Sequence, residues 1–282
     1  MASDVQWSAT FASASTDAMS FYDDIMVPRM FEPWARLLLD EVGVEYDQAV
    51  LDVACGPGTV TRIAAERVGA RGKVTGCDLS PAMLELARAK EPVLAGAPID
   101  YLECSAEALG VADHTIDVVT CQQGLQFFPD RGKALAEMRR ALRPGGKLGI
   151  SVWCTAEDNP PFLALANALE EVLGAEVANT YKEGPWGFGD AAALVRLADV
   201  AGFTDVDVRR FELPIVFEGG PGQLMLTLRA SAVATILAEL SESAVAAFSS
   251  AVREATRHIT VNGQVRSHVS SHVLTANVNG GT

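Results

Sequence analysis

No stretch of this sequence stays apolar for the ~20 residues that a helix needs to cross a bilayer. Met1 to Ser20 carries no basic flank ahead of an apolar core, so neither a membrane span nor a secretory leader is expected. Cysteines number only five, an odd count without a CxxC pair, and the four histidines stand at no metal-ligand spacing. A disulfide framework and a metal site are therefore not expected. Basic residues are scarce too: 22 Lys and Arg face 36 Asp and Glu, a formal charge of −14. Repulsion from phosphate backbones, with no local basic cluster to overcome it, removes DNA and RNA from the expected partners. What remains is 282 residues, 49% apolar and 21% charged and without low-complexity tracts, enough to fold around a sizeable core. The cysteine usage suits a reducing cytoplasm.

From Ala49 onward, short apolar runs alternate with helical stretches: Val50–Ala54, Val74–Cys77, Tyr101–Cys104, Ile116–Cys121 and Lys147–Trp153. This alternation predicts an α/β fold, a doubly wound, mostly parallel sheet with crossover helices. Residues 1–46 lack strand runs and space their apolar side chains helically around Pro28 and Pro33, so an N-terminal helical cap is expected. Ser80 and Pro81 should cap and open one helix. Another should carry Leu135, Met138 and Leu142 inward and stop at Pro144-Gly145-Gly146. Beyond Trp153 the pattern predicts a helix from Pro160 to about Leu173, an irregular loop over Tyr181–Gly189 and a helix over Asp190–Ala201. A sixth strand at Asp205–Leu213, a helical stretch over Gln223–Ile259 and a last strand at Val265–Val278 complete seven strands. With no repeat and no linker, the chain reads as one domain: a cap (1–46), a ligand-binding core (47–155), and substrate-wall helices with the last two strands (156–282).

The chemistry concentrates at Leu51-Asp52-Val53-Ala54-Cys55-Gly56-Pro57-Gly58-Thr59, between the first strand and its helix. Small residues there let backbone N–H groups approach a ligand. Asp78 follows twenty residues after Gly58, at the end of the second strand, where a carboxylate can accept both hydroxyls of a ribose. Two adenosine cofactors share that description. A dinucleotide would set a pyrophosphate near Asp52, whereas S-adenosylmethionine (SAM) offers an ammonium and a sulfonium that favour nearby carboxylate. The loop also departs from GxGxxG. SAM is the expected cofactor; the plainer reading leaves both aspartates as solvated strand ends.

The segments LDVACGPGT, GCDLSPAMLELA, SAEAL at Ser105–Leu109, Ile116-Asp117-Val118-Val119, LQFFPD and LRPGGKLGISVW together resemble class I SAM-dependent methyltransferases. The resemblance is to the small-molecule group that includes the ubiquinone and menaquinone biosynthesis enzymes. It covers about Ala49 to Trp153. It implies that Asp52, Ala54, Cys55, Gly56 and Gly58 bind the methionine part and Asp78 the ribose. Leu79 and Met83 would meet the adenine face, and Ser105 with Ala106 its edge; Glu107, Cys121 and Gln122 complete the expected cofactor set. Ala54 stands where the family has glycine, and Ser105 where it commonly has aspartate.

Methyl transfer needs alignment in a water-poor pocket more than an acid or base, so the lack of a catalytic triad does not count against it. Candidate groups are Tyr22, Gln123 and His258 for catalysis, and Tyr22, Gln123, Phe127 and Trp186 for the acceptor. Each has a plainer explanation: core packing for the aromatics, a solvated helix end for His258. Cys55, Cys77, Cys104, Cys121 and Cys154 fall one per strand near the carboxyl ends and read as packing residues along one rim. The expected function is methylation of an O, C or N atom of a small, partly apolar metabolite. A SAM-binding protein that does not methylate, cyclase-like or regulatory, and a nicotinamide-dependent oxidoreductase are the alternatives, the last disfavoured by Asp52 and the loop spacing. A homodimer is compatible with the sequence.

Overall fold

The structure, a computed structural model, describes residues 22–280. Strands β1 (Ala49–Val53), β2 (Lys73–Asp78), β3 (Ile99–Glu103), β4 (Ile116–Gln122), β5 (Leu142–Trp153), β6 (Thr204–Phe217), β7 (Thr260–Val261) and β8 (Gln264–Asn277) form one sheet. Its order is β3-β2-β1-β4-β5-β8-β6, with the two-residue β7 hung on β8. β1 to β5 run parallel, and β8 is antiparallel to both β5 and β6. The seven expected strands are present and β7 is an addition.

The middle of the sheet and its β6 edge differ in burial for a simple reason. Residues Val50 to Val53 of β1 are all buried, as a parallel strand covered by helices on both faces must be. β6 alternates half-buried and exposed residues, the period-two signature of an edge strand with one wet face.

The cap includes a π-helical segment, Tyr22–Phe31, followed by α1 (Glu32–Val42). The expectation for Tyr22 falls on a side chain outside the described residues. Crossover helices α2 (Thr59–Val68), α3 (Pro81–Ala89) and α4 (Arg131–Ala141) follow β1, β2 and β4. Ser80 caps α3, its hydroxyl accepting from the Met83 N–H at 3.4 Å, with Pro81 in the first turn. Asp130 caps α4 by accepting from the Lys133 N–H at 2.9 Å. α4 ends at Ala141, earlier than expected. Leu142 already belongs to β5, paired with Ile116, so Pro144-Gly145-Gly146 lies within the strand, in the register shift between the Leu142 and Lys147 pairs, rather than ending the helix.

Helices α5 (Pro160–Leu173), α6 (Ala175–Glu183), α7 (Ala191–Val200), α8 (Gly220–Leu226), α9 (Ala234–Ala238) and α10 (Glu242–Ala255) complete the fold. Two expectations change here. Tyr181 to Glu183 end a helix, because burying Ala178 and Tyr181 on one face rewards helical continuation; the irregular segment begins only at Gly184. Gln223–Ile259 is not one helical run but α8, a 3-10 turn, α9, α10 and a further 3-10 turn. The break before α10 is capped by Ser241, which accepts from the Ala244 N–H.

One buried cluster joins Trp34, Trp153, Phe162, Trp186 and Phe217 on the side of the cap and late helices. A second joins Val119, Leu135, Met138, Ile150 and Leu194 beneath α4 and α7. Among the described residues no helix is long and apolar enough to cross a membrane.

Candidate active site

A cavity of about 230 Å³ opens where the parallel strands end. Its two halves have different chemistry. One half is built at the carboxyl ends of β1, β2 and β3 and just beyond them: Asp52, Ala54 to Pro57, Thr59 and Val60, then Asp78 to Ser80 and Met83, then Cys104 to Glu107. The other is aromatic, with Phe31, Trp153, Phe162, Tyr181 and Trp186.

In the first half, Asp78 is the organising side chain. Its Oδ2 accepts from the Gly56 N–H and its Oδ1 from the Ser80 N–H, both at 2.8 Å. Those bonds tie the glycine loop to the start of α3. A carboxylate has about four acceptor positions, so each oxygen keeps one for a ligand hydroxyl. Burial raises the Asp78 pKa, and the two backbone N–H groups hold it down against that pressure. Asp52 lies at the floor, 1% exposed. It accepts from Thr61 Oγ1 at 2.6 Å and Thr120 Oγ1 at 3.0 Å. Burial pushes its pKa up to about 7, opposed by the two hydroxyls. A cationic ligand beside it would draw that value down again.

Three observations test whether this half suits SAM. Asp78 offers a divided pair of acceptors to vicinal hydroxyls. At Gly56, φ is +53° and an added Cβ would meet nothing within 4 Å, so the loop backbone lies open to a ligand. Among the described residues no lysine, arginine or histidine lines the cavity; a pyrophosphate would find three carboxylates, Asp52, Asp78 and Glu107, and no countercharge, while a cation finds all three. The residues fit SAM and disfavour a dinucleotide.

Several expected cofactor residues line the cavity together: Asp52, Ala54, Cys55, Gly56, Asp78, Leu79, Met83, Ser105, Ala106, Glu107 and Gln122. Ser105 Oγ accepts from the Glu107 N–H at 3.1 Å, holding that turn in place. Two expected members stand elsewhere. Gly58, at φ +80°, backs onto Tyr101, whose hydroxyl would lie 2.5 Å from an added Cβ; it shapes the turn and does not face the ligand. Cys121 is fully buried in the core below α4, because alternation along β4 turns its side chain away from the rim.

Of the acceptor candidates, Gln123, Phe127 and Trp186 line the cavity. His258 does not: it is exposed on a 3-10 turn after α10, where the last helix turn points to solvent. Gln122 Nε2 donates to the Phe31 carbonyl at 2.8 Å. Lys90 Nζ pairs with Asp23 at 2.7 Å with both side chains about three-quarters buried. These contacts fasten the cap over the cavity mouth.

Composition along the chain did not mark Met26, Met30, Phe162, Thr227 and Ser231 as cavity residues. Each reaches the site from an element far away in sequence. Gln126 was also missed. Its Oε1 accepts from the Trp153 N–H at 3.3 Å, which fixes the backbone of the central indole. Trp153 meets Trp34 edge-on at 5.7 Å and Trp186 at 5.9 Å between ring centroids, and Trp186 lies 4.7 Å from Phe162.

Comparison with known proteins agrees with this geometry. Residues 4–217 match the model of the ubiE/COQ5 methyltransferase family. The demethylmenaquinone methyltransferase of Lactococcus lactis is 34% identical over 190 residues, covering 63% of this chain and 74% of that protein. The ubiquinone/menaquinone biosynthesis C-methyltransferase UbiE of Escherichia coli is 37% identical over 127 residues, 45% of this chain; the match spans about half, 51%, of that enzyme. Among solved structures, phosphoethanolamine N-methyltransferase 2 of Haemonchus contortus superposes with a TM-score of 0.60 at 20% identity, over 98% of this chain and 61% of that one. A SAM-dependent methyltransferase of Aquifex aeolicus gives 0.54 at 21% identity, over 71% and 94%; these two show the shared fold. The family match removes the oxidoreductase alternative. The chain belongs to the ubiE/COQ5 methyltransferase family and is a SAM-dependent methyltransferase.

Proposed function

We propose that the enzyme methylates a ring carbon of a small hydroxylated aromatic acceptor of the quinol type. The observation that carries this reading is the split cavity. The acceptor half is walled by Phe31, Trp153, Phe162, Tyr181 and Trp186, surfaces that suit a flat apolar ring. Among the described residues no histidine lies there to serve as a base for an alcohol or amine. The names of the relatives, a demethylmenaquinone methyltransferase and a quinone-pathway C-methyltransferase, point the same way.

When bound, SAM supplies an electrophilic methyl carbon on a cationic sulfur. Asp78 would hold the ribose hydroxyls, the open backbone at Gly56 would accommodate the amino-acid end near Asp52, and Leu79 and Met83 would flank the base. The indoles and Phe162 exclude water and fix the plane of the acceptor, which is what an in-line displacement asks of a protein. A ring activated by its own hydroxyl needs no strong base to present a nucleophilic carbon. Burial drives the Tyr181 hydroxyl upward in pKa, so it stays protonated and acts as wall and hydrogen-bonding group.

The same reading takes the chain as one domain acting in the cytoplasm on a free metabolite and not on nucleic acid, in keeping with the charge of −14. Sedimentation would settle homodimer formation. The function is tested by incubating the protein with methyl-labelled SAM and demethylmenaquinol carrying a short side chain. Label on a ring carbon together with S-adenosylhomocysteine is the expected result. Label on oxygen, or tight SAM binding with no transfer to any quinol or phenol, would overturn it.

A further inference from the structure

We infer that Gln123 recognises a hydroxyl donor on the acceptor ring, and so makes the enzyme select acceptors with a free ring hydroxyl. This inference rests on the ring-methylation reading above and names the group that the site selects.

Gln123 lines the cavity and is 5% exposed. It directly follows β4 with φ at +55°, an unusual conformation for a residue with a side chain, and its N–H donates to the Ser151 carbonyl at 2.9 Å. The orientation of its amide follows from its neighbour. Ser271 Oγ lies 2.6 Å from the Val152 carbonyl and 3.4 Å from the His272 carbonyl. Both are acceptors, so the single hydroxyl proton goes to Val152, and Oγ can only accept from Gln123, whose Nε2 stands 3.1 Å away. The amide is thereby locked with nitrogen toward β8, and its carbonyl oxygen is left over. That oxygen is buried and has no partner. A buried carbonyl without a donor costs on the order of 1–3 kcal/mol, so a residue kept this way next to a cavity is matched to a donor that arrives with a ligand. A neutral amide accepts a hydrogen bond without taking the proton. A ring hydroxyl bonded to it is polarised and oriented but not ionised, which places Gln123 as a binding and specificity group, not a base.

The test compares 1-naphthol with 1-methoxynaphthalene, identical rings that differ in having a donor. Binding is read by quenching of indole fluorescence in the presence of S-adenosylhomocysteine, on the wild-type protein and on Gln123→Leu and Ser271→Ala. A rise in melting temperature with S-adenosylhomocysteine checks that each variant is folded. The wild type should bind the naphthol about tenfold more tightly, the worth of one hydrogen bond in such a site. Gln123→Leu should abolish the preference while leaving the ether's affinity unchanged. Ser271→Ala, which frees the amide to turn its nitrogen inward, should reduce the preference without enlarging the cavity at Gln123. Equal binding of both rings by the wild type, or an undiminished preference in Gln123→Leu, overturns this inference alone. Failure of either ring to bind while S-adenosylhomocysteine still does overturns the aromatic-acceptor reading and this inference with it.

Discussion

The two halves of the cavity are assembled in opposite ways. The SAM half uses three consecutive strand ends, Asp52–Gly56, Asp78–Met83 and Ser105–Glu107, each linked by backbone hydrogen bonds to its neighbour. The acceptor half gathers Phe31, Gln123, Trp153, Phe162 and Trp186 from five separate parts of the fold, the four rings joined by ring contacts and Gln123 held by hydrogen bonds. A site made of adjacent turns depends on the loop geometry of one sheet edge. A site made of distant side chains depends on the packing of the whole upper layer. The halves should therefore fail separately.

Trp153→Ala gives the largest separation. Removing a 3%-exposed indole from contact with Trp34, Trp186 and Phe31 should cost about 3–5 kcal/mol of stability and abolish acceptor binding. Affinity for S-adenosylhomocysteine, measured by calorimetry on the folded fraction, should change by no more than a few-fold. Asp78→Asn is the reciprocal test. It turns one accepting oxygen into a donor and weakens the bond at the other, interactions worth about 1.5–3 kcal/mol each, so S-adenosylhomocysteine should bind about a hundredfold more weakly, with a fall in melting temperature smaller than that of Trp153→Ala. Equal losses of both ligands in both variants would show that the halves are one cooperative unit.

Asp52 sharpens the comparison through pH. Its pKa stands at about 7 in the fold against an ordinary 3.8, so ionisation is disfavoured by folding. The ligand-free protein should accordingly lose melting temperature as pH rises from about 4 to about 7. A ligand bearing an ammonium prefers the ionised form; its affinity should rise about tenfold between pH 6 and pH 8, as one proton is released around pH 7. Acceptor affinity, in a half with no carboxylate among its described residues, should stay flat over that range. The smallest effect is expected at Ala54, which holds φ at +57°, a region that disfavours a Cβ by about 1–2 kcal/mol. Ala54→Gly relieves this but adds freedom to the unfolded chain, so a net gain below about 1 kcal/mol is expected in denaturant unfolding.

The same contrast explains what could be read from the amino-acid order. The strands and α3 are specified locally, by apolar runs and by Ser80-Pro81, and the SAM half inherits that legibility because its residues sit at those strand ends. Gly58 and Cys121 show the limit: a turn glycine and a rim cysteine look like ligand contacts until the direction of each side chain is known. In the acceptor half, Phe162 carries no motif and Trp153 only ends one, LRPGGKLGISVW, and only packing turns both side chains inward. Nothing in Gln223–Ile259 marks the breaks with a proline, since Leu240-Ser241 is a cap signal only in context. His258 failed for the same reason, as a helix end gives no indication of which way it faces.

The position of β8 in the sheet has a consequence for biosynthesis. β6 touches β5 only through β8, and β8 leaves the ribosome after both. Until Asn277 has emerged, the nascent chain holds a finished parallel half beside an open β5 margin and a stranded β6, and Gln123 lacks the Ser271 that orients it. The acceptor chamber can close only once β8 has emerged, so a chaperone guarding that margin would find its target before that point.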